Sequence, residues 1–185
     1  MSATSTLRRL RDQPFALLLE MERRARGAPR GVEGDEAVRE WVGIAFRIER
    51  TVLLTSREDV REVLRVPPVT RVPGARPWVR GLANVRGQLL PLTDLRAWLR
   101  GTTAPAPRSA RVLAVNHRRV PAGLIVDEVY GFRRFHEGEQ GSATATPFAA
   151  IEDLVTGSFT RDGETWPVLS LKRLVESQRF LNAAE

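Results

Sequence analysis

The sequence predicts a mainly β protein: two small barrels of about five strands each, a helical extension before them and a closing helix after them. Three observations carry that expectation. Short apolar runs of period two recur from Trp41 onward. Turn signals punctuate them, among them Val79-Arg80-Gly81, Val85-Arg86-Gly87 and the Asp162-Gly163 step, a strong hairpin marker. A proline-rich stretch at residues 102–107, TTAPAP, reads as a stiff exposed connector between the halves. The expected division is residues 1–40 as the helical extension and 41–181 as the folded domain. Its subdomains are expected at roughly 41–101 and 108–170, with the closing helix at 171–181.

In chain order, Asp12-Gln13-Pro14 is a plausible helix start. Phe15, Leu18 and Leu19 then share one face, with Leu17 and Met21 broadening it, until Gly27 stops the helix. That face is expected to pack back on the body in preference to docking another protein. Residues 35–41 are read as a second short helical piece. Val42, Ile44, Phe46 and Ile48 alternate with Gly43, Ala45 and Arg47 as a strand, and residues 52–55 follow after a hairpin around Glu49-Arg50-Thr51. The segment 56–67 carries Val60, Glu62, Val63 and Leu64. Pro67-Pro68 and Pro73-Gly74 mark loops.

The stretch 78–99 organises the rest. Gly81 and Gly87 permit turns or close backbone approach that a Cβ resists. Leu89-Leu90-Pro91-Leu92 suits a short buried strand, and Asp94 is placed to cap a helical turn at 95–99. The second half repeats the idiom. Strands are expected at 110–116, 120–126 and 129–135, and a polar, Gly-containing loop at 137–146. A hairpin follows at 154–160 and 165–171, then a helix opened by Leu171, Leu174, Val175 and Gln178.

Composition narrows the function classes. The 185 residues contain no cysteine, which excludes disulfides and thiolate metal sites. The two histidines, His117 and His136, lie far apart, so neither a metal nor a cofactor is expected. No run approaches the roughly 18–20 apolar residues of a membrane span, and a cytoplasmic location is expected. The net charge is +7, and Lys172 is the sole lysine among 29 basic residues. The arginines are scattered, which favours a solvated face over a nucleic-acid stripe. No G-x-S-x-G, Walker-type or H-E-x-x-H motif occurs. Asp127-Glu128 and Glu152-Asp153 are sequence neighbours, which on a strand point to opposite faces and make poor acid/base pairs. No enzyme activity is expected.

The string V-R-G-x-x-N-x-R-G-x-x-x-P-x-x-D-L at residues 79–95 resembles the central signature of the CheW family of chemotaxis coupling proteins. GLIVDEVYGF at 123–132 resembles a second family block. Gly157-Ser158-Phe159, Asp162-Gly163 and residues 168–171 resemble the C-terminal block. The similarity spans about 41–181. Ser170 is a departure, because the family commonly has aspartate before the last helix. The length before Trp41, with EWVGIAFRI, is similar to the branch that serves twitching motility and type IV pili.

The resemblance implies two five-stranded SH3-like barrels around a shared core, and no catalysis. It implies an adaptor, recruited to membrane receptor complexes. Such an adaptor joins the cytoplasmic tip of a methyl-accepting receptor to the CheW-like regulatory domain of a CheA-type histidine kinase. By position, Arg86 and Glu62 should form a partly buried pair that orients a coupling surface. Val60, Val63, Leu64 and Val66 are an apolar docking patch or plain core. Arg80 and Asn84 touch a partner, or Asn84 serves its own turn. Two other readings stay open: a coupling protein of a flagellar chemotaxis system, and a basic β-barrel that binds nucleic acid.

Overall fold

The computed structural model describes residues 40–183. The helix expected from Asp12 to Gly27 and residues 35–39 of the second piece lie outside the described residues. Glu40 and Trp41 are not helical: they open the first strand, β1 (Glu40–Ile48).

β1 turns at Glu49-Arg50 into β2 (Thr51–Ser56), with Glu49 at φ 54°. A 3-10 turn, Arg57–Asp59, leads to β3 (Val60–Arg65). The central stretch folds as β4 (Val79–Val85), a two-residue turn, β5 (Gln88–Asp94) and α1 (Leu95–Arg100). Asp94 caps α1 by accepting from the Ala97 N–H at 3.0 Å. Then come β6 (Arg111–Val115), β7 (Gly123–Val126) and β8 (Glu128–His136). The expected loop at 137–146 contains a 3-10 turn, Glu137–Glu139, and a two-residue strand, β9 (Gln140–Gly141). The Asp162-Gly163 turn joins β10 (Val155–Arg161) to β11 (Glu164–Leu169). The closing helix is two: α2 (Leu171–Glu176) and α3 (Gln178–Leu181), broken at Ser177, whose hydroxyl accepts from the Phe180 N–H at 3.3 Å.

The strands form two sheets, ordered β8-β1-β2-β11-β10-β9 and β3-β6-β7-β5-β4. The first therefore holds six strands, one more than expected, because β9 pairs with β10. The sheets do not divide at residues 102–107, so the sequential subdomains 41–101 and 108–170 do not hold. Sheet 1 takes β1 and β2 from before the connector and β8 to β11 from after it. Sheet 2 takes β3 to β5 from before and β6 and β7 from after. Parallel pairings stitch the halves together: Leu54 with Val168, and Leu92 to Asp94 with Gly123 to Ile125. Hairpin signals are local, whereas these partners are chosen by apolar faces remote in sequence.

The core explains why β1 and β2 are apolar on both faces. Ile44, Phe46, Ile48 and Leu53 enter a central cluster with Trp78, Leu95, Trp98, Leu113, Leu124, Leu169 and Leu174. Ala45 and Leu54, on the alternate positions, face the interior of sheet 1 with Phe135, Phe159 and Val168. Sheet 2 has its own interior of Ala83, Leu90, Leu92, Val112, Ala114 and Ile125. Burying a strand on both sides removes the polar face that alternation would otherwise show.

Two buried aspartates sit where the chain crosses between sheets. Asp59, between β2 and β3, accepts from the Leu171 N–H at 3.0 Å and meets Lys172 Nζ at 3.2 Å. It therefore lends α2 a carboxylate beside Ser170, whose hydroxyl accepts from the Arg173 N–H at 3.3 Å. Asp127, between β7 and β8, accepts from the Glu49 N–H at 2.6 Å and lies 3.6 Å from Arg96.

Candidate functional site

The turn after β4 is set by its residues. Arg86 and Gly87 both take positive φ, 52° and 82°, the conformation that matches a two-residue hairpin to strand twist. Arginine tolerates that region poorly, and Asn84 supports it: its Oδ1 accepts from the Gly87 N–H at 2.8 Å. Gly81 has a different duty. At φ 136° it lies in a register shift of β4 against β5, and a Cβ there would strike the Thr70 carbonyl. That contact lets the 66–72 loop lie on β4, where Thr70 and Leu82 exchange backbone hydrogen bonds of 2.9 and 2.8 Å.

This turn brings Arg86 to Glu62 on β3, with Nη2 to Oε2 at 2.9 Å. The pair is buried on one side only. The Arg86 side chain is 80% exposed, and only Glu62, at 18%, is shielded. The contact is also off-axis: among the described residues Glu62 Oε2 accepts no aligned hydrogen bond. Arg61, Glu62, Val85, Arg86 and Gln88 line an open hollow of about 550 Å³ here. Arg80 points elsewhere, to Asp94 Oδ2 at a loose 3.9 Å.

The valine patch splits. Val60 is buried in the central core, and Leu64 is partly buried against the sheet 2 interior, so neither offers a docking face. Val63 and Val66 are exposed, as are Val69 and Val72 on the following loop. Leu89 was expected inside a buried strand, yet it is 67% exposed. Leu90 and Leu92 take the inward positions of β5, and period two puts Leu89 outside. Reading the apolar run by alternation would have found it. Tyr130 and Phe132 of β8 are exposed too, and nothing in the sequence reading singled them out.

Sheet 1 carries a second arginine–glutamate pair. Arg161 Nη2 donates to Glu139 Oε2 at 2.8 Å and to the Arg134 carbonyl at 2.7 Å, and its guanidinium lies 4.6 Å from the Phe135 ring centre. The Arg161 hydrogen bonds, followed by the His136 backbone N–H, pull the Glu139 carboxyl down from 4.5 to about 2.

Two further pairs stand apart from these. Glu128 pairs with Arg47 at 3.0 Å, apart from the partners of Asp127, and His117 Nε2 meets Glu176 Oε1 at 2.8 Å. Among the described residues no group of three histidines or acids is placed to hold a metal ion, and no helix is long and apolar enough to cross a membrane.

Comparison with known proteins bears on the family and the fold. The family model described as CheW-like domain matches residues 43–179. Protein PilI of Pseudomonas aeruginosa is 39% identical over 172 residues, covering 92% of this chain and 96% of that protein. Chemotaxis protein CheW of Bacillus subtilis is 31% identical over 100 residues, covering 54% of this chain and 64% of that one. The crystal structure of scaffolding protein TtCheW from Thermoanaerobacter tengcongensis superposes with a TM-score of 0.65 at 22% identity, covering 75% of this chain and 94% of that one, which speaks for the fold. The family is one of non-catalytic scaffolds and adaptors built on two SH3-like β units. With the signature on its central hairpin and the twin sheets around it, the chain belongs to the CheW-like family.

Proposed function

We propose that this chain is the adaptor that couples a methyl-accepting chemoreceptor to a CheA-type histidine kinase in the system controlling type IV pilus twitching motility. The similarity to PilI carries the reading, because it covers nearly all of both proteins, whereas the match to the Bacillus CheW covers about half of this chain. The partners are the receptor's cytoplasmic tip and the kinase's CheW-like regulatory domain, met in the cytoplasm at membrane receptor complexes.

The coupling surface is the edge of sheet 2 around β3 and the β4–β5 turn. Its features are the Glu62–Arg86 pair, Asn84 holding the turn, and the exposed Val63, Val66 and Leu89. Apolar contacts rimmed by charge suit a modest, reversible interface. Gly81 and Gly87 shape the backbone under it. Arg80 is a rim residue tethered to the α1 cap.

Capture of both partners by the full chain, with loss of both by Arg86→Glu, tests the surface. Deleting the gene tests the pathway: twitching should stop while flagellar swimming continues. Lost swimming with intact twitching would assign the chain to flagellar chemotaxis instead.

A further inference from the structure

We propose that Arg133, Glu139 and Arg161 close the free edge of β8 against strand addition by a second copy of this chain. β8 ends sheet 1 on one side, and among the described residues it pairs with β1 alone. An edge strand presents unpaired N–H and C=O groups that another strand can bind. This one spans nine residues and carries Tyr130 and Phe132, 41% and 60% exposed. Length and exposed aromatic surface together make an edge prone to recruit a partner strand.

Side chains meet this edge group by group. The His136 N–H donates to Glu139 Oε2 at 2.7 Å, so it points away from β1. Backbone groups alternate sides along a strand, and the register with β1 runs unshifted from His136 to Gly131. Arg134 and Phe132 therefore point away from β1 as well. Both of their carbonyls are taken. The Arg134 carbonyl accepts from Arg161 Nη2 at 2.7 Å, and the Phe132 carbonyl accepts from Arg133 Nη1 at 3.2 Å. Arg161 also donates to Glu139 Oε2 at 2.8 Å, which holds the caps at 134 and 136 to one another. An incoming strand needs those two carbonyls and that N–H, and the capping groups lie in the path of its backbone.

Other edges are managed by other means. At the far end of sheet 1, β9 is two residues long, too short to template a partner. In sheet 2 the 66–72 loop lies on the edge strand β4, where Thr70 and Leu82 exchange backbone hydrogen bonds. β8 has neither device, and the three side chains take their place. The strand they exclude is a second β8. Two such edges are self-complementary about a twofold at Phe132, which sets ring against ring across the new pair. In that register Arg133 falls opposite Gly131 and Arg134 opposite Tyr130, so like charges do not meet. The inference concerns sheet 1 and does not rest on the sheet 2 coupling surface.

Sedimentation velocity over a concentration series compares the full parent chain with the double variant Glu139→Ala, Arg161→Ala. The double variant is expected to self-associate at least about tenfold more tightly than the parent, about 1.4 kcal/mol. Its Phe132 and Arg134 amides, which face outward, should become protected from exchange as association proceeds, because a new ladder engages them. Adding Phe132→Lys should return the double variant to the parent's behaviour, since an edge lysine blunts pairing. Phe135→Leu weakens the same sheet with every cap intact and should sediment as the parent does, which separates an opened edge from a loosened fold. If the double variant fails to fold, Arg161→Gln, which uncaps the Arg134 carbonyl, is read in the same way. Association no tighter than the parent's, amides at 132 and 134 that stay unprotected, association that survives Phe132→Lys, or equal association in Phe135→Leu overturns the guard.

Discussion

Each sheet carries an arginine–glutamate pair near its edges, and the two pairs are built differently. In sheet 1, Arg161 binds Glu139, bonds the Arg134 carbonyl and rests on Phe135. In sheet 2, Arg86 reaches Glu62 by a single off-axis contact and is otherwise in solvent. The first pair belongs to the barrel: it ties β10 to the β8–β9 turn over an aromatic floor of Trp41, Phe135 and Phe159. The second is held in position by its turn and left open above. Identical residue types thus serve as a seam in one sheet and a presented charge in the other, and what lies beneath them makes the difference.

The largest effect should come from removing the floor of the seam. Phe135→Ala empties a fully buried position stacked on Phe159 and tilted against Trp41 and Trp166, and should cost about 3–5 kcal/mol, read from urea denaturation. The matching break in sheet 2 is Gly81→Ala. The new Cβ meets the Thr70 carbonyl at a φ that side chains avoid, so about 1–3 kcal/mol should be lost, with the 66–72 loop lifted from β4 in amide exchange. If Phe135→Ala proves the milder of the two, the contrast between a packed seam and an open one is wrong.

A third change sharpens the comparison through pH. The Glu139 carboxyl is depressed in the folded protein, so its stabilising contribution is present above pH 4.5 and fades as pH falls toward about 2. Glu139→Gln should lower the urea midpoint above that window and flatten the slope within it. A parallel acid dependence in mutant and parent would remove the seam role.

The parts of this fold legible in the sequence are those that local chemistry decides. The Asp162-Gly163 turn, the Asp94 cap and the Glu49-Arg50 hairpin follow from two or three neighbouring residues. The exchange of strands between sheets does not, because Leu54–Val168 and Leu92–Gly123 pair across more than one element. For the same reason Val60 was readable as either core or docking surface: only its place facing the central cluster decides for core. The Glu62–Arg86 contact was reachable through the family signature, while its exposure depends on how far the turn projects. The single long helix failed at Ser177, which offers the backbone a cap and so starts a new turn.

The smallest expected change in stability is the largest in function. Arg86→Glu keeps the turn, sets two like charges together at the edge of sheet 2, and should alter stability by no more than about 1 kcal/mol. The decisive measurement is capture of the receptor tip and the kinase regulatory domain by the parent, Arg86→Glu and Glu139→Gln proteins, with thermal melts alongside. The account predicts that Arg86→Glu loses both partners while its melt stays close to the parent's, and that Glu139→Gln keeps both. Normal capture by Arg86→Glu, or loss that merely follows unfolding, would contradict it.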